Sequence, residues 1–198
     1  MISHLLAAAG AAAIAIGLLT RHGRRDPADL VAGIALAFGV AALMIERATG
    51  SWTAITAAIT GGALGSLVVI DFREHRLPRL ISQGGALAVA PFVVFGGDGV
   101  IPPWEPLAAG GLSFAVAGGL VLLSRGALGL GDLYLAPLLG LTVTGGRLEG
   151  VLPMWLIATI TAGLVAGLAL TTRRVDREQH LPFGPFLVVG WCLAGLIS

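Results

Sequence analysis

Apolar residues fall in eight long stretches, near positions 2–19, 28–45, 51–70, 80–96, 106–124, 128–144, 149–172 and 181–198, with short polar connections between them. At about 1.5 Å of rise per residue, stretches of this kind fold as helices able to cross a hydrocarbon core of about 30 Å. The sixth is marginal unless its helix begins before Asp132, which puts that acid at or just under the membrane surface. The pattern predicts an all-α membrane protein, a polytopic bundle of about eight transmembrane helices forming one domain over residues 1–198. The opening "MISHLLAAAG" lacks a basic leader region and runs into "RHGRRDP", so it reads as a first span and not as a cleaved signal peptide.

Composition agrees with this pattern. Hydrophobic residues make up 56% of the 198 and charged residues 12%, and the mean hydropathy is +0.92, far from the average of a soluble domain. The lipid bilayer is therefore the first partner. A net charge of +1 with no interleaving of basic and aromatic residues removes any case for nucleic acid. The single Cys192 excludes an intramolecular disulfide and a CxxC metal knuckle. All basic residues are arginines, and they are unevenly spread. Arg21, Arg24, Arg25, Arg73, Arg76, Arg79, Arg125, Arg173, Arg174 and Arg177 follow the odd-numbered stretches, whereas only Arg47 and Arg147 follow the even ones. By the positive-inside rule the odd connections are cytoplasmic and both termini lie outside. Thirty glycines imply helices packed by close backbone approach, with "GGALGS", "AAGG", "AVAGG" and "AGLVAG" as the packing surfaces.

Most acids fall in connections where water can solvate them: Asp26, Asp29, Glu46, Asp98, Glu105, Glu149, Asp176 and Glu178. Asp71 and Asp132 do not. Asp71 closes the third apolar stretch in "SLVVIDFREHRLPRLIS", and Asp132 opens the sixth after "GALGLG". Both sit at cytoplasmic ends, at one depth on one face. Each has an ordinary structural explanation: a helix N-cap for Asp132, and a snorkelling carboxylate paired with Arg73 or Arg76 for Asp71. A cap leaves the run Gly126, Gly129 and Gly131 unexplained, since it strips side chains from the approach and lets another backbone come close. Two carboxylates brought together in a partly dry site hold one proton between them over some pH interval. That is the requirement of aspartyl proteolysis, in which one acid takes a proton from the attacking water and the other donates to the developing oxyanion. No metal or other cofactor is needed. His4, His22, His75 and His180 are scattered, with no HExxH, and no GxSxG elbow occurs.

Three segments together resemble one family. "GLGD" at 129–132 is similar to the GxGD signature of membrane aspartyl proteases. "IDFREHRLPRLI" at 70–81 resembles the segment around the first catalytic aspartate of type IV prepilin peptidases, and "LPFGPFLVVG" at 181–190 resembles the entry to their last helix. The likeness covers roughly residues 60–198, with residues 1–50 less well matched. It implies that Asp71 and Asp132 are the catalytic pair, that Gly129 and Gly131 shape the approach, and that Pro182, Phe183, Gly184 and Pro185 form a cytoplasmic mouth. It also implies a substrate class, pilin-like precursors with a short basic leader ahead of an apolar helix, cut at the cytoplasmic face of a bacterial inner membrane.

This chain departs from the family pattern in two places. Tyr134 stands where many members have Lys, and Arg79 follows Pro78 where polar or acidic residues are common. The methyltransferase region of larger members, with its paired CxxC motifs, has no counterpart, so a peptidase-only form is expected. A presenilin-like relative is disfavoured, because the Pro motif is "PFGP" and no Tyr-Asp precedes it. A non-catalytic membrane component, a small transporter or inactive homologue using the two acids as proton or ion sites, is the alternative, with Tyr134 as its best support.

Overall fold

The computed structural model describes residues 2–23, 26–47, 53–74, 77–96, 101–123, 129–171 and 183–197. Among them are eight α-helices, each falling on one of the eight apolar stretches: α1 (Ile2–Arg21), α2 (Pro27–Arg47), α3 (Thr53–Glu74), α4 (Arg79–Phe95), α5 (Trp104–Leu123), α6 (Leu130–Thr142), α7 (Val151–Thr171) and α8 (Gly184–Ile197). No strand occurs among the described residues. The runs Pro27–Ile45, Ala54–Glu74, Trp104–Leu123 and Leu148–Leu168 are long and apolar enough to cross a membrane. The apolar runs on α1, α4, α6 and α8 are shorter. With 13 and 14 residues, α6 and α8 measure only about 20 Å.

Two helices are the centres of packing. In the N-terminal half, α3 lies against both α1 and α2, and glycine makes this possible. A Cβ at Gly65 would stand 2.6 Å from the Gly33 carbonyl oxygen and 2.7 Å from the Ala37 nitrogen, and one at Gly62 would stand 2.9 Å from the Ala11 carbonyl oxygen. Backbones touch directly, which is how helices associate where lipid competes for every apolar side chain. In the C-terminal half α6 runs between α4, α5 and α8. Leu135, Ala136, Leu138, Leu139, Leu141 and Thr142 on α6 are all buried, so the helix is apolar all round because it has neighbours all round.

The opposite case is α7, which packs chiefly on α8 and leaves Leu152, Leu156, Ile160, Leu164 and Leu168 exposed. The small residues expected to pack α7 do not do so within the chain: a Cβ at Gly163 or Gly167 would meet nothing within 4 Å, and the same holds for Gly111 and Gly119 on α5. Only part of the glycine content therefore serves intramolecular contact. Interior hydroxyls donate back to carbonyls of their own helix, as Ser66 does to Ala63 and Thr142 to Leu138, while two indoles bond across helices. Trp155 Nε1 donates to Ser113 Oγ at 3.0 Å, joining α7 to α5. Trp191 Nε1 donates to Thr142 Oγ1 at 3.1 Å, joining α8 to α6. The α6–α7 connection turns through Thr144, Gly145 and Gly146, with φ of 49°, 75° and 91°, a left-handed run in which glycine relieves the steric cost at two of three positions.

Candidate functional site

Alternate helix ends converge at one end of the bundle. Asp71 lies in the final turn of α3 and is 4% exposed, while the next three residues, Phe72 to Glu74, are exposed. Its carboxyl group points inward. Asp132 is the third residue of α6 and is 5% exposed. Leu77 links the two, lying against Gly131, the neighbour of Asp132, and near Gly184, which faces Asp71 Oδ2, so two acids from distant parts of the chain share one buried region. The ordinary alternative for Asp132, a helix N-cap, is not what forms: the cap position is Gly129, with φ −72° and ψ 146°, and no side chain bonds to the helix start. The Asp132 backbone N–H donates to the Gly129 carbonyl at 3.1 Å, and its carboxyl faces back over the glycine turn, Oδ2 lying 3.6 Å from where a Gly129 Cβ would stand.

The glycines have identifiable neighbours. A Cβ at Gly184, the first residue of α8, would stand 2.7 Å from Asp71 Oδ2. A Cβ at Gly131 would stand 2.8 Å from the Cβ of Leu77. Leu77 also reaches toward Gly184, its Cδ1 lying 3.5 Å from the position of a Cβ there. This leucine, on the α3–α4 connection, touches the glycine before one acid and the glycine against the other. No sequence motif marks it apart from its place just ahead of Pro78. Gly129 makes no comparably close contact with a neighbouring helix.

Phe183 serves α8 through its carbonyl, which accepts from Phe186 and Leu187 at 3.0 and 3.1 Å. Its ring stacks on Trp155 with centroids 6.4 Å apart. Pro185 sits in the first turn of α8, where its missing N–H costs nothing. Pro182 lies outside the described residues, as do Gly126, Arg76, Asp176 and Glu178.

Two further side chains change the picture drawn from sequence. Asp29, expected to be solvated in a connection, is instead 4% exposed in the first turn of α2. The Arg73 guanidinium, one of the two partners that the ordinary explanation offers Asp71, reaches Asp29: its Nε lies 2.9 Å and one terminal nitrogen 2.8 Å from Asp29 Oδ1. The reason is topological. Antiparallel α2 and α3 bring a helix start and a helix end side by side, and an acid at the one and a base at the other each complement the helix dipole. Glu105 is likewise engaged, accepting from the Leu148 N–H at 3.1 Å. Finally, Arg79 and Tyr134 are in contact, the guanidinium carbon of Arg79 lying 4.5 Å over the Tyr134 ring.

No family model, curated protein or solved structure matches this chain. Among the described residues no three or more His, Cys, Asp or Glu side chains are grouped so as to hold a metal ion.

Proposed function

We propose that the chain is an intramembrane aspartyl endopeptidase that cuts the leader from pilin-like precursors at the cytoplasmic face of a bacterial inner membrane. The observation that carries this reading is that Asp71 and Asp132 are both buried at one end of a helical bundle and linked through Leu77, which lies against Gly131 and near Gly184. In the arrangement proposed, all eight helices lie across the bilayer, α6 and α8 falling short of one surface, with both termini outside. The connections bearing Arg21, Arg73 and Arg79 then lie at the same end as the two acids, as the positive-inside rule requires of the cytoplasmic side.

In the reaction, one carboxylate removes a proton from water as it attacks the scissile carbonyl. The other, protonated, donates to the developing oxyanion. The roles exchange when the tetrahedral intermediate collapses and the leaving amine takes up a proton. The glycines fit this use of the site. An extended peptide needs room beside the acids, and Gly129, Gly131 and Gly184 offer backbone without side chains. The short α6 and α8 support the same reading: helices of about 20 Å fall short of a core of about 30 Å, so the start of α6, with Asp132, and the start of α8, against Asp71, sit recessed beneath the surface, where an unwound substrate end can enter while its apolar helix stays in lipid.

The test is purified protein in detergent incubated with a precursor that has a basic leader ahead of an apolar helix. Asp71→Asn and Asp132→Asn should each reduce cleavage by about 10²-fold or more while the proteins stay folded. Full cleavage by either variant refutes the assignment. Wild-type protein that binds the precursor without cutting it favours a non-catalytic role for the pair.

A further inference from the structure

Asp71 and Asp132 ride on helices that scarcely touch each other: α3 packs on α1, α2 and α4, α6 packs on α4 and α5, and contact between α3 and α6 or between α6 and α8 is sparse. How far apart the acids stand is therefore set by what lies between those helices. Deeper in the bundle the go-between is α4, where a Cβ at Gly85 would stand 3.2 Å from Leu138 Cδ2 on α6 and 3.4 Å from Ala63 Cβ on α3. At the end that holds the acids, Leu77 takes this place. Its Cβ, Cδ1 and Cγ lie 2.8, 3.3 and 3.4 Å from the Cβ position of Gly131, the residue before Asp132. The same Cδ1 lies 3.5 Å from the Cβ position of Gly184, which Asp71 Oδ2 approaches to 2.7 Å from its own side. Leu77 is itself anchored. A residue before proline is confined to extended backbone, and Pro78 leads into α4, its carbonyl accepting from the Ile81 and Ser82 N–H groups at 3.0 and 3.3 Å. The side chain is half-buried and packs on the core. Dispersion attraction fades within about an ångström of separation, so these contacts act on both helix starts only while the terminal carbons of leucine are present.

We infer that Leu77 is a positioning residue of the site, a clasp from the start of α4 that holds the starts of α6 and α8, and with them Asp132 and Asp71, at a fixed separation. Its consequence for catalysis rests on the peptidase reading, whereas the separation of the two side chains is measured apart from cleavage. Full-length wild type, Leu77→Ala, Leu77→Val and Leu77→Met are compared in detergent for kcat and KM on the same precursor, with thermal unfolding as the control of folding. In a second set each of the four residues at position 77 is combined with Asp71→Cys, Asp132→Cys and Cys192→Ala, the last of which removes the single native cysteine. The rate of disulfide formation under copper-phenanthroline is followed in product that runs as a monomer. A disulfide needs its Cβ atoms about 3.5–4.5 Å apart, so this rate reports how readily the two side chains meet.

Leu77→Ala keeps the Cβ against Gly131 and loses the carbons that reach Gly184. It should lower kcat about tenfold or more with KM little changed, and slow the cross-link by about as much. Leu77→Val should fall between, and it carries the comparison where Leu77→Ala does not fold. Leu77→Met, which restores the reach, should keep both rates near those with leucine. An unchanged or faster cross-link in Leu77→Ala overturns the inference, as does no cross-link with leucine in place. It is equally overturned by wild-type kcat in Leu77→Ala, by a loss that Leu77→Met shares, or by a change confined to KM, the mark of a residue that touches substrate in the ground state. A wild type that cuts no precursor while the cross-link rates follow the expected order overturns the peptidase reading and leaves the role of Leu77 standing.

Discussion

Gly184→Ala is the sharpest test of the site as built here. The added Cβ would stand 2.7 Å from Asp71 Oδ2, about 0.7 Å short of ordinary contact near 3.4 Å, with Leu77 Cδ1 at an acceptable 3.5 Å. The collision is with the end of one short side chain and not with backbone, so the chain need not unfold to relieve it. Asp71 yields by rotating or shifting its carboxyl group by several tenths of an ångström, and Ala is favoured over Gly in a helix by up to about 1 kcal/mol. Folding stability should therefore be unchanged or slightly raised. Catalysis should suffer, because displacing a reacting group by about 1 Å costs on the order of 10²-fold. For the shorter displacement here, kcat should fall roughly tenfold to a hundredfold, or about 1.4 to 2.7 kcal/mol of barrier. The assay is steady-state cleavage of the precursor by purified protein, with thermal unfolding in the same detergent as the control. Removing Leu77 as well, in Gly184→Ala with Leu77→Ala, should not restore activity, since Leu77 is not the atom that clashes. Wild-type kcat in Gly184→Ala would refute the contact between α8 and Asp71 as a determinant of the reaction.

Other changes separate packing from chemistry. Gly140→Ala would drive a Cβ to 2.7 Å from Ser113 Cβ and 2.9 Å from the Ala109 carbonyl carbon, backbone that cannot turn aside, and should lower stability by about 1–3 kcal/mol, read as a lower melting temperature. Trp191→Phe removes the donor to Thr142 but leaves the Thr142 hydroxyl bonded to the Leu138 carbonyl at 2.8 Å. The lost interhelical bond should cost about 0.6–1.7 kcal/mol in the same measurement. Tyr134→Leu should lose the Arg79 contact and about 0.5–1 kcal/mol, whereas Tyr134→Phe keeps the ring and should be neutral. Equal losses in the two Tyr134 variants would point to the hydroxyl instead.

Much of this architecture is legible in the order of residues, because lipid-compatible helices must satisfy their backbone within themselves and so announce themselves as long apolar stretches. All eight helices follow from that rule. Asp71 and Asp132 also stand out in the sequence, as two acids at helix ends on one predicted side with nothing to prevent their meeting. The partners of the remaining charges do not. Asp29 reads as a connection residue because it sits in the polar run "RRDPAD" at the lip of the second apolar stretch, and only the antiparallel contact of α2 with α3 closes water off from it. Arg73 could serve Asp71 or Asp29, and nothing in the local sequence separates the two. Nor does composition say which glycines are pressed against a neighbour: Gly65 and Gly163 look alike in the chain, yet one lies against backbone and the other against nothing within 4 Å. Periodicity and hydropathy are properties of single segments and so are written in the sequence. Which carboxylate meets which guanidinium, and which glycine lets a backbone approach, depend on how segments cross, and that is decided only when the helices pack.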